Sequence, residues 1–385
     1  MTALAAALGS HTIDGRELGS LEVREALAAD NDQLVALTAA CPMRGDLALR
    51  IDRGPDFFAL HRLEGDRATL GVAERAGRIV GCIAASERRV YLNGRETTTG
   101  YVGDLKVHPR HRDRVTADAL CVYATDRCRR LPAGTPTLVT VLVGNKAMEK
   151  RLPGPRGLPN FQKLTTMRAH SISILWNRRL RDLAGMTVER ATWRDLDAMS
   201  ALWRTVAPAR QFAAVLDTMM MAHLIRSSPG LDIPSYLLAR SRGGELLGFI
   251  AVWDQSSIKQ MYVESYSARM SLAKRCYNAL APIIGTEKMP DSGEPLRHRT
   301  VFQICVPSER PDVLHSLLVT AHNELRASRC SFFNVGLDIR DPLTAATEGL
   351  LGQPTDVNAY VTYVSQPADV CTLQSLPLHY EIALV

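Results

Sequence analysis

The sequence predicts a mixed α+β fold (α/β) in which one domain occurs twice. Val23–Ala26 precedes two aspartates and an apolar helical run, and Val188–Ala191 repeats this order 165 residues later. The hairpin segment Gly77–Ala84 recurs as Gly244–Ala251, at an offset of 167 residues. Because the offset is nearly constant over two separate elements, we predict a tandem duplication, each copy being a mixed sheet flanked by helices.

The domain boundaries follow from a polar stretch between the copies. Asn177–Thr187 carries two pairs of charged residues and reads as a linker. We therefore predict an N-terminal domain at 20–177 and a C-terminal domain at 187–385. Two domains are also the default for a chain of 385 residues.

The composition is that of an ordinary globular protein, with 46% hydrophobic and 22% charged residues. No run of about eighteen apolar residues occurs, so no membrane-spanning helix is predicted. The first ten residues lack basic side chains ahead of their apolar part, and we expect no signal peptide there. The eight cysteines form no Cys-x-x-Cys pair, which favours a reducing cytoplasm and argues against a zinc site. The net charge of +6 suits a phosphorylated cofactor as well as it suits nucleic acid.

The first copy begins with a predicted hairpin of Leu70–Glu74 and Arg78–Ser86. A short apolar strand, Tyr101–Val107, follows and stops at Pro109. Charged residues come next, and then apolar residues at helical spacing. A later β-branched run, Leu138–Val143, predicts another strand.

The turn between the strand Tyr101–Val107 and its helix is a candidate phosphate site. A loop that leads into a helix presents unpaired backbone N–H groups and the positive end of the helix dipole. Guanidinium groups pair well with phosphate oxygens, and this turn contains Arg110, Arg112 and Arg114. His108 and His111 also lie here, but no third ligand stands nearby, so we predict no metal.

The phrase from Val107 to Ala117 resembles the acyl-CoA loop of the GNAT (N-acetyltransferase) superfamily. In that family a strand ending in Val-x-Pro is followed by Arg/Gln-x-x-Gly-x-Gly/Ala and a helix. Arg112 fills the first motif position and Ala117 the last, whereas Val115 stands where the middle glycine belongs. Asn145, just after Leu138–Val143, matches an Asn that commonly contacts the pantetheine arm in the family.

The resemblance implies two GNAT-like domains, each a mostly antiparallel mixed sheet flanked by helices. It also implies a co-substrate, acetyl-CoA or another acyl-CoA, and no metal. In GNAT folds the backbone N–H groups at the end of the fourth strand hold the thioester carbonyl. The implied acyl-CoA-binding residues are Leu105, Val107, Arg112, Asp113, Arg114, Val115, Thr116, Ala117 and Asn145.

The second copy keeps the predicted elements and loses the motif. Val301–Val306 and Phe332–Leu337 are predicted strands, with a one-face apolar helix between them. The loop between them retains only Arg310 as an echo of the phosphate turn, and Asp312 would repel an anion. We therefore predict a degenerate C-terminal domain without a cofactor loop. Further strands are predicted at Ala359–Val364 and His379–Leu384.

Acyl transfer to an amine needs a base, because an ammonium has no lone pair with which to attack. In many GNAT proteins a carboxylate on the fourth strand serves as this base, and Asp104 lies there. The alternative is that Asp104 acts as a cap or pairs with Lys106 on a solvated face. Tyr101 is a candidate acid or substrate contact. Glu87, at the end of the hairpin, is another candidate base. In the inserted segment, Tyr262, Glu264 and Tyr266 either line a substrate cavity or face water.

Three functions remain open at this stage. The first is a cytoplasmic N-acyltransferase that uses acyl-CoA, most simply acetyl-CoA, and acts on an amine of a small molecule or peptide. The second is an aminoacyl-tRNA-dependent transferase of related fold, for which the arginines 127, 129 and 130, together with Lys146, Lys150 and Arg151, would suit tRNA. The third is a non-catalytic CoA-binding sensor or scaffold, favoured by Val115. Among partners we expect no membrane, and nucleic acid is disfavoured because the chain retains an Arg-based loop.

Overall fold

A computed structural model describes residues 12–13, 16–17, 21–132, 134–154, 158–178, 185–363 and 370–384. Within this part of the chain, thirteen strands form one continuous sheet and two smaller pairs lie outside it. The strands are β1 (Thr12–Ile13), β2 (Arg16–Glu17), β3 (Leu21–Glu25), β4 (Leu47–Asp52), β5 (Arg67–Arg75), β6 (Arg78–Leu92), β7 (Arg95–Val107), β8 (Pro136–Leu142), β9 (Gln162–Ser173), β10 (Met186–Arg190), β11 (Ala213–Ala214), β12 (Tyr236–Ser241), β13 (Leu246–Trp253), β14 (Gln260–Tyr266), β15 (His298–Cys305), β16 (Phe332–Asp338) and β17 (Gly352–Tyr363).

Helices cover both faces of the large sheet. The α-helices are α1 (Asn31–Ala39), α2 (Phe58–His61), α3 (Arg114–Cys128), α4 (Lys146–Glu149), α5 (Leu196–Val206), α6 (Thr218–Ser227), α7 (Ala268–Ile284) and α8 (Pro311–Ala327). The stripe predicted for the last of these is fully inside the protein, with Leu314, Leu317 and Leu318 at 0% exposure. Each such side chain stabilises the fold by roughly 1.5–3 kcal/mol, and this is why α8 lies flat on the sheet.

The strand order confirms the predicted duplication of one fold. The sheet reads β3-β5-β6-β7-β8-β17-β9-β16-β15-β13-β12-β10. From either edge the order is therefore the same: five strands of one half come first, and a sixth strand from the other half follows. In both halves the fourth and fifth strands pair in parallel, as β7 with β8 and β15 with β16, while the other neighbours are antiparallel.

The sixth strands are exchanged between the halves. β17, from the end of the second half, lies between β8 and β9 of the first half and pairs with both. β9 in turn pairs with β16 of the second half. Ala359 and Val361 of β17 are completely buried there. The two halves therefore share one sheet, and neither has its full set of neighbouring strands alone.

A glycine pair shows how closely the two halves match. An added Cβ at Gly81 would lie 2.9 Å from the Lys106 carbonyl and 2.9 Å from Leu120 on α3. One at Gly248 would lie 3.0 Å from the Cys305 carbonyl and 3.1 Å from a side chain of α8. Each glycine thus lets its strand approach the fourth strand and the helix that covers it.

Some predicted boundaries differ from the structure. Residues His379–Leu384 do not form a strand: Ile382–Leu384 is a 3-10 helix whose Ala383 and Leu384 are nevertheless buried. The predicted linker falls partly on 179–184, outside the described residues. The insert contributes β14, which pairs with β4 of the first half as a separate two-stranded sheet, so a segment of the second half covers the first.

Candidate active site

The first half contains a cavity where two parallel strands separate. β7 pairs with β8 only at Gly100, Tyr101 and Val102, and beyond that point no register pairs join them. The space between them is part of a cavity of about 470 Å³. Its lining includes residues of α3 and α4 and residues of β4 and β14.

A β-bulge in β7 forms one wall of this cavity. Cys82 pairs with Lys106 and Ala84 with Gly103, so Asp104 and Leu105 together oppose one residue of β6. Asp104 has a φ of 55°, which is uncommon for a residue with a side chain. Gln303 has a φ of 49° at the corresponding bulge of β15. Since both halves keep this strained geometry, the bulge belongs to the common architecture rather than to one sequence.

The start of α3 is capped by the protein itself. Asp113 is the N-cap residue, and its Oδ1 accepts the Thr116 N–H at 2.6 Å. Its Oδ2 accepts from Arg75, a side chain that is 7% exposed, at 2.8 Å. A carboxylate therefore lies where the sequence predicted an anion site. An aspartate just before a helical run is an N-cap signal, and this signal was available in the sequence.

The other residues of the predicted phosphate turn surround this cap. Arg110, Arg112 and Arg114 are exposed, and Arg112 Nε donates to the Val107 carbonyl at 3.4 Å. Val115 is helical and Ala117 is buried, so the missing glycine does not distort the helix. The turn thus presents cationic side chains, but the backbone N–H groups of Arg110, His111, Asp113 and Thr116 already have acceptors within the turn.

Two of the residues that the resemblance implies for acyl-CoA binding lie at this cavity. Leu105 and Asn145 both line the cavity. Asn145 Oδ1 also caps α4, accepting from the Met148 N–H at 3.3 Å. Leu105 and Val107 pack toward the buried face of α3, which leaves Asp104 on the opposite side of the strand, as the alternation of strand residues predicts.

Asp104 lies in a cationic cluster. Lys106 forms an ion pair with its Oδ1, and Arg53 Nη1 lies 3.3 Å from its Oδ2. Burial disfavours the ionised carboxylate, but the charges of Lys106 and Arg53 outweigh that and hold the pKa of Asp104 well below its usual range. A carboxylate with a lowered pKa is a weak base. These ion pairs therefore favour the alternative, in which Asp104 pairs with Lys106, over the role of general base.

Lys259 completes the cluster, and sequence reasoning did not find it. It precedes β14, is 8% exposed, and lines the same cavity as Asp104. Burial, together with the charges of Arg53 and Lys106, lowers the pKa of Lys259 to about 8. Nothing in the local sequence signals this position, because the contact depends on the insert of one half covering the other.

Tyr101 belongs to a group of three hydroxyls. Its hydroxyl lies 3.1 Å from that of Thr140 and 3.0 Å from that of Tyr380, and the last two are 2.8 Å apart. The guanidinium of Arg88 lies 4.0 Å from the centre of the Tyr101 ring. Burial raises the pKa of Tyr101, so the phenol remains protonated at neutral pH.

A second cavity, of about 720 Å³, lies on the other side of this hydroxyl group. Tyr380 lines both cavities. The second one is bounded by the segment after α2, by α6 of the second half, and by the C-terminal segment. Its polar lining includes Glu64, His223, His379 and Glu381.

Glu64 is a buried carboxylate that the sequence analysis missed. Its side chain is 4% exposed, and its Oε2 lies 3.3 Å from His61 Nδ1 without forming a hydrogen bond. It is close enough to act on the pKa of both Tyr101 and Lys259. A buried glutamate in a loop is rarely retained without a role or a partner.

Glu87 is not where the sequence placed it. The strand β6 continues to Leu92, so Glu87 lies in mid-strand rather than at the end of the hairpin. It lies opposite Arg67 on β5 and Gly100 on β7. Burial raises the pKa of the Cys128 thiol on α3, and the charge of Glu87 raises it further. Neither cavity includes it in its lining, so the structure does not bring it together with Asp104 and Tyr101.

Tyr262, Glu264 and Tyr266 lie away from the cavity. On β14 it is Met261, not these residues, that lines it. Arg50 stacks on the Tyr262 ring at 4.6 Å, and the Tyr266 hydroxyl donates to the Pro290 carbonyl.

The corresponding region of the second half is filled by the protein itself. Glu381 accepts the backbone N–H of Gln303, the bulge residue, at 3.1 and 3.2 Å. An added Cβ on Gly336 of β16 would come within 2.5 Å of Ile382. Arg210 and Asp341 form a buried ion pair. Arg210 also donates to the carbonyl of Val306, directly after β15, and so holds the end of that strand in place.

The described residues contain no cluster of three His, Cys, Asp or Glu side chains placed to hold a metal ion. None of the described helices combines the length and the apolar character needed to cross a membrane.

Comparison with known proteins identifies the first half. Residues 22–133 match the model of the acetyltransferase (GNAT) domain family. The chain carries a GNAT domain. No curated protein sequence matches the chain significantly.

Solved structures support the tandem GNAT arrangement over nearly the whole chain. N-myristoyltransferase of Saccharomyces cerevisiae, with bound myristoyl-CoA, is 11% identical over 92% of this chain and 85% of its own, with a TM-score of 0.59. A GCN5-related N-acetyltransferase from Sphaerobacter thermophilus is 16% identical over 91% and 97%, with a TM-score of 0.54. A tandem GNAT protein from the clavulanic acid biosynthesis pathway is 17% identical over 91% and 100%, also with 0.54. At these identities the likeness concerns the fold.

Proposed function

We propose that this tandem GNAT protein transfers an acyl group, most simply acetyl, from acyl-CoA to an amine of a small molecule or peptide. The observation that carries the proposal is the opening between β7 and β8, whose counterpart in the second half is filled by Glu381 and Ile382. One half is thus built to receive a ligand and the other to be a structural partner. We place the reaction in the cytoplasm, in keeping with the free cysteines of the described residues.

The donor would enter the first cavity with its pantetheine arm between β7 and β8, beside Asn145. Its phosphates would lie at the turn before α3, near Arg112 and Arg114. We assign the carbonyl contact to the Asp104 N–H. Its counterpart, the Gln303 N–H, donates to a carboxylate outside the strand ladder, and a donor so placed suits a developing oxyanion.

The acceptor would occupy the second cavity, where Glu64 and Glu381 offer negative charge to an ammonium group. Glu64 is the base that we assign, because its Oε2 has no hydrogen-bond partner. It would take one proton from the ammonium, and the amine would then attack the thioester carbon. The attacking nitrogen of the tetrahedral adduct still carries one proton too many. Collapse of the adduct would break the C–S bond, and that second proton would pass to the departing CoA thiolate. Tyr101 and Tyr380 lie between the cavities, and their hydroxyls can relay it by giving a proton to the thiolate and taking one from the nitrogen.

A tRNA-dependent reaction is the less favoured alternative. Arg127 pairs with Glu25, Arg129 with Asp126 and Arg151 with Asp118. Three of the six basic residues proposed for tRNA therefore already have acidic partners. A CoA-binding role without catalysis keeps one argument in its favour, the Asp113 cap.

A thiol-release assay with acetyl-CoA and a panel of amines tests the proposal. Amine-dependent release of CoA supports it. Donor binding with no release by any amine points to the sensor.

The Asp113 cap gives a prediction for donor affinity. Asp113→Asn keeps a side chain that caps helices equally well, but removes a negative charge beside the phosphate turn. We expect acetyl-CoA to bind several-fold more tightly, with a loss of stability of about 1 kcal/mol as Arg75 loses its ion pair. Isothermal titration and thermal unfolding measure the two effects. Unchanged or weaker binding would mean that the phosphates do not approach this helix.

A further inference from the structure

We propose that the acyl acceptor is an amino acid, whose carboxylate is bound by Arg88 in the second cavity while its ammonium group faces Glu64. This inference rests on the proposed function and specifies the substrate class of the same site. Amines that carry no carboxylate near the amine, such as polyamines and the N-terminus of a long peptide, would then be poor acceptors.

The guanidinium of Arg88, which lines the second cavity, is held in place and keeps a donor to spare. Its Nε donates to Ser86 Oγ at 3.2 Å, and its Cζ lies 4.0 Å from the centre of the Tyr101 ring. Its Nη2 is buried, yet it has no hydrogen-bond partner in the described part of the chain. A buried donor without a partner costs free energy, and the fork of arginine matches the two oxygens of a carboxylate. The guanidinium is therefore positioned for an anionic ligand.

Most other charged side chains that line this cavity already have a partner. These contacts are Arg62 to Asp56, Arg89 to Glu96, and Glu381 to His379. Asp66 is exposed to water. Glu64 and Arg88 differ from all of these, because each keeps a buried polar atom that no described residue satisfies.

Glu64 and Arg88 carry opposite charges and lie near the same phenol. Burial is the main reason that the pKa of Tyr101 is raised, but Glu64 raises it further and Arg88 opposes the shift. Both charges therefore lie close to the hydroxyl group between the two cavities, and yet neither satisfies the other. A positive and a negative group that face one cavity in this way are complementary to a zwitterion. Binding at both ends would also orient the amine toward the thioester.

The rest of the lining leaves room for the body of an amino acid. The cavity has a volume of about 720 Å³, and Trp203, Phe212 and Phe302 are among the apolar side chains that line it. Ligand cavities of this size are typically apolar, with a few polar groups that fix the orientation of the ligand. An aromatic amino acid is therefore a suitable probe of this site.

Calorimetric titration of the full chain at pH 7, in the presence of saturating CoA, tests the inference with matched probes. L-Phenylalanine is compared with phenethylamine, which has the same ring and amine but no carboxylate. 6-Aminohexanoate is compared with hexylamine in the same way, so that a carboxylate farther from the amine is also tested. In at least one pair the carboxylate is expected to tighten binding about 10- to 100-fold, as for a charge-assisted hydrogen bond pair. The pair that responds shows how far the carboxylate lies from the amine.

The variant Arg88→Gln separates recognition of the carboxylate from a structural role of Arg88. It should remove the preference for the carboxylate and leave the affinity for the uncarboxylated amine unchanged. A purely structural role would weaken the binding of both members of a pair alike. Acetyl-CoA should bind as in the wild type, because Arg88 does not line the first cavity. Arg67→Gln, at an exposed position of the neighbouring strand β5, is the matched control and should keep the preference.

Equal affinities within both pairs would overturn the inference, and so would the absence of binding by every probe. A preference for the carboxylate that survives in Arg88→Gln would overturn it as well. Thiol release from acetyl-CoA with the same four compounds is a separate measurement. If an amino acid binds with the expected preference but no CoA is released, the proposed transfer fails, whereas the recognition of the carboxylate by Arg88 stands.

Discussion

A chain shortened to residues 1–180 is expected to be insoluble or inactive. It would lack β17, which lies between β8 and β9 and pairs with both. Removal leaves two strand edges open in the middle of a hydrophobic sheet, and such edges promote aggregation. It also removes Tyr380, whose hydroxyl bonds to Tyr101 and Thr140. Size-exclusion chromatography, thermal unfolding and acetyl-CoA binding of the fragment measure the effect.

Adding the second half back provides the control. Residues 1–180 and 185–385 produced together should assemble into a stable complex, because the exchanged strands then find their neighbours. A fragment 1–180 that is monomeric, unfolds cooperatively and retains full activity would show that the exchange does not matter for the first half.

Glu64→Gln is expected to reduce turnover by about a hundred- to ten-thousand-fold, the usual effect of losing a general base. The amide keeps the shape of the side chain but cannot accept the proton of the ammonium. Binding of acetyl-CoA should change little, because Glu64 lines the acceptor cavity and not the donor cavity. Steady-state thiol release and donor titration separate the two effects.

Glu87→Gln is the matched control for this variant and should keep near-normal turnover, since Glu87 lines neither cavity.

Asp104→Asn tests the alternative base that the sequence predicted. This substitution leaves buried cations without their counter-charge and should destabilise the fold by up to about 3 kcal/mol. Normal turnover in Glu64→Gln, with a large loss in a folded Asp104→Asn, would transfer the role of base to Asp104.

The fold was predictable from the sequence because its signals are local and repeated. The apolar stripe of α8, the hairpins around Gly81 and Gly248, and the strand that ends before Pro109 each follow from short-range patterns. The exchange of β9 and β17 was not predictable, since either strand could have paired within its own half. Only the packing of the whole sheet decides that choice.

The candidate site was predictable where it depends on the motif and not where it depends on contacts between distant segments. The cavity-lining roles of Leu105 and Asn145 follow from the strand and the turn after it. Lys259 and Glu64 could not be found in this way, because nearby residues give no hint of burial. Asp113 differs because two sequence patterns overlap there. The charged turn predicted a phosphate site, whereas an aspartate just before a helix also predicts an N-cap, and the structure shows the N-cap.

The stoichiometry of acetyl-CoA binding shows whether the first half alone binds the acyl donor. Isothermal titration of the full chain should give one equivalent per chain. Arg112→Glu, which places a negative charge beside the phosphates, should abolish binding. Arg310→Glu, at the corresponding turn of the second half, should leave it unchanged. Two equivalents per chain, or undiminished binding in Arg112→Glu, would show that the turn before α3 is not the single donor site.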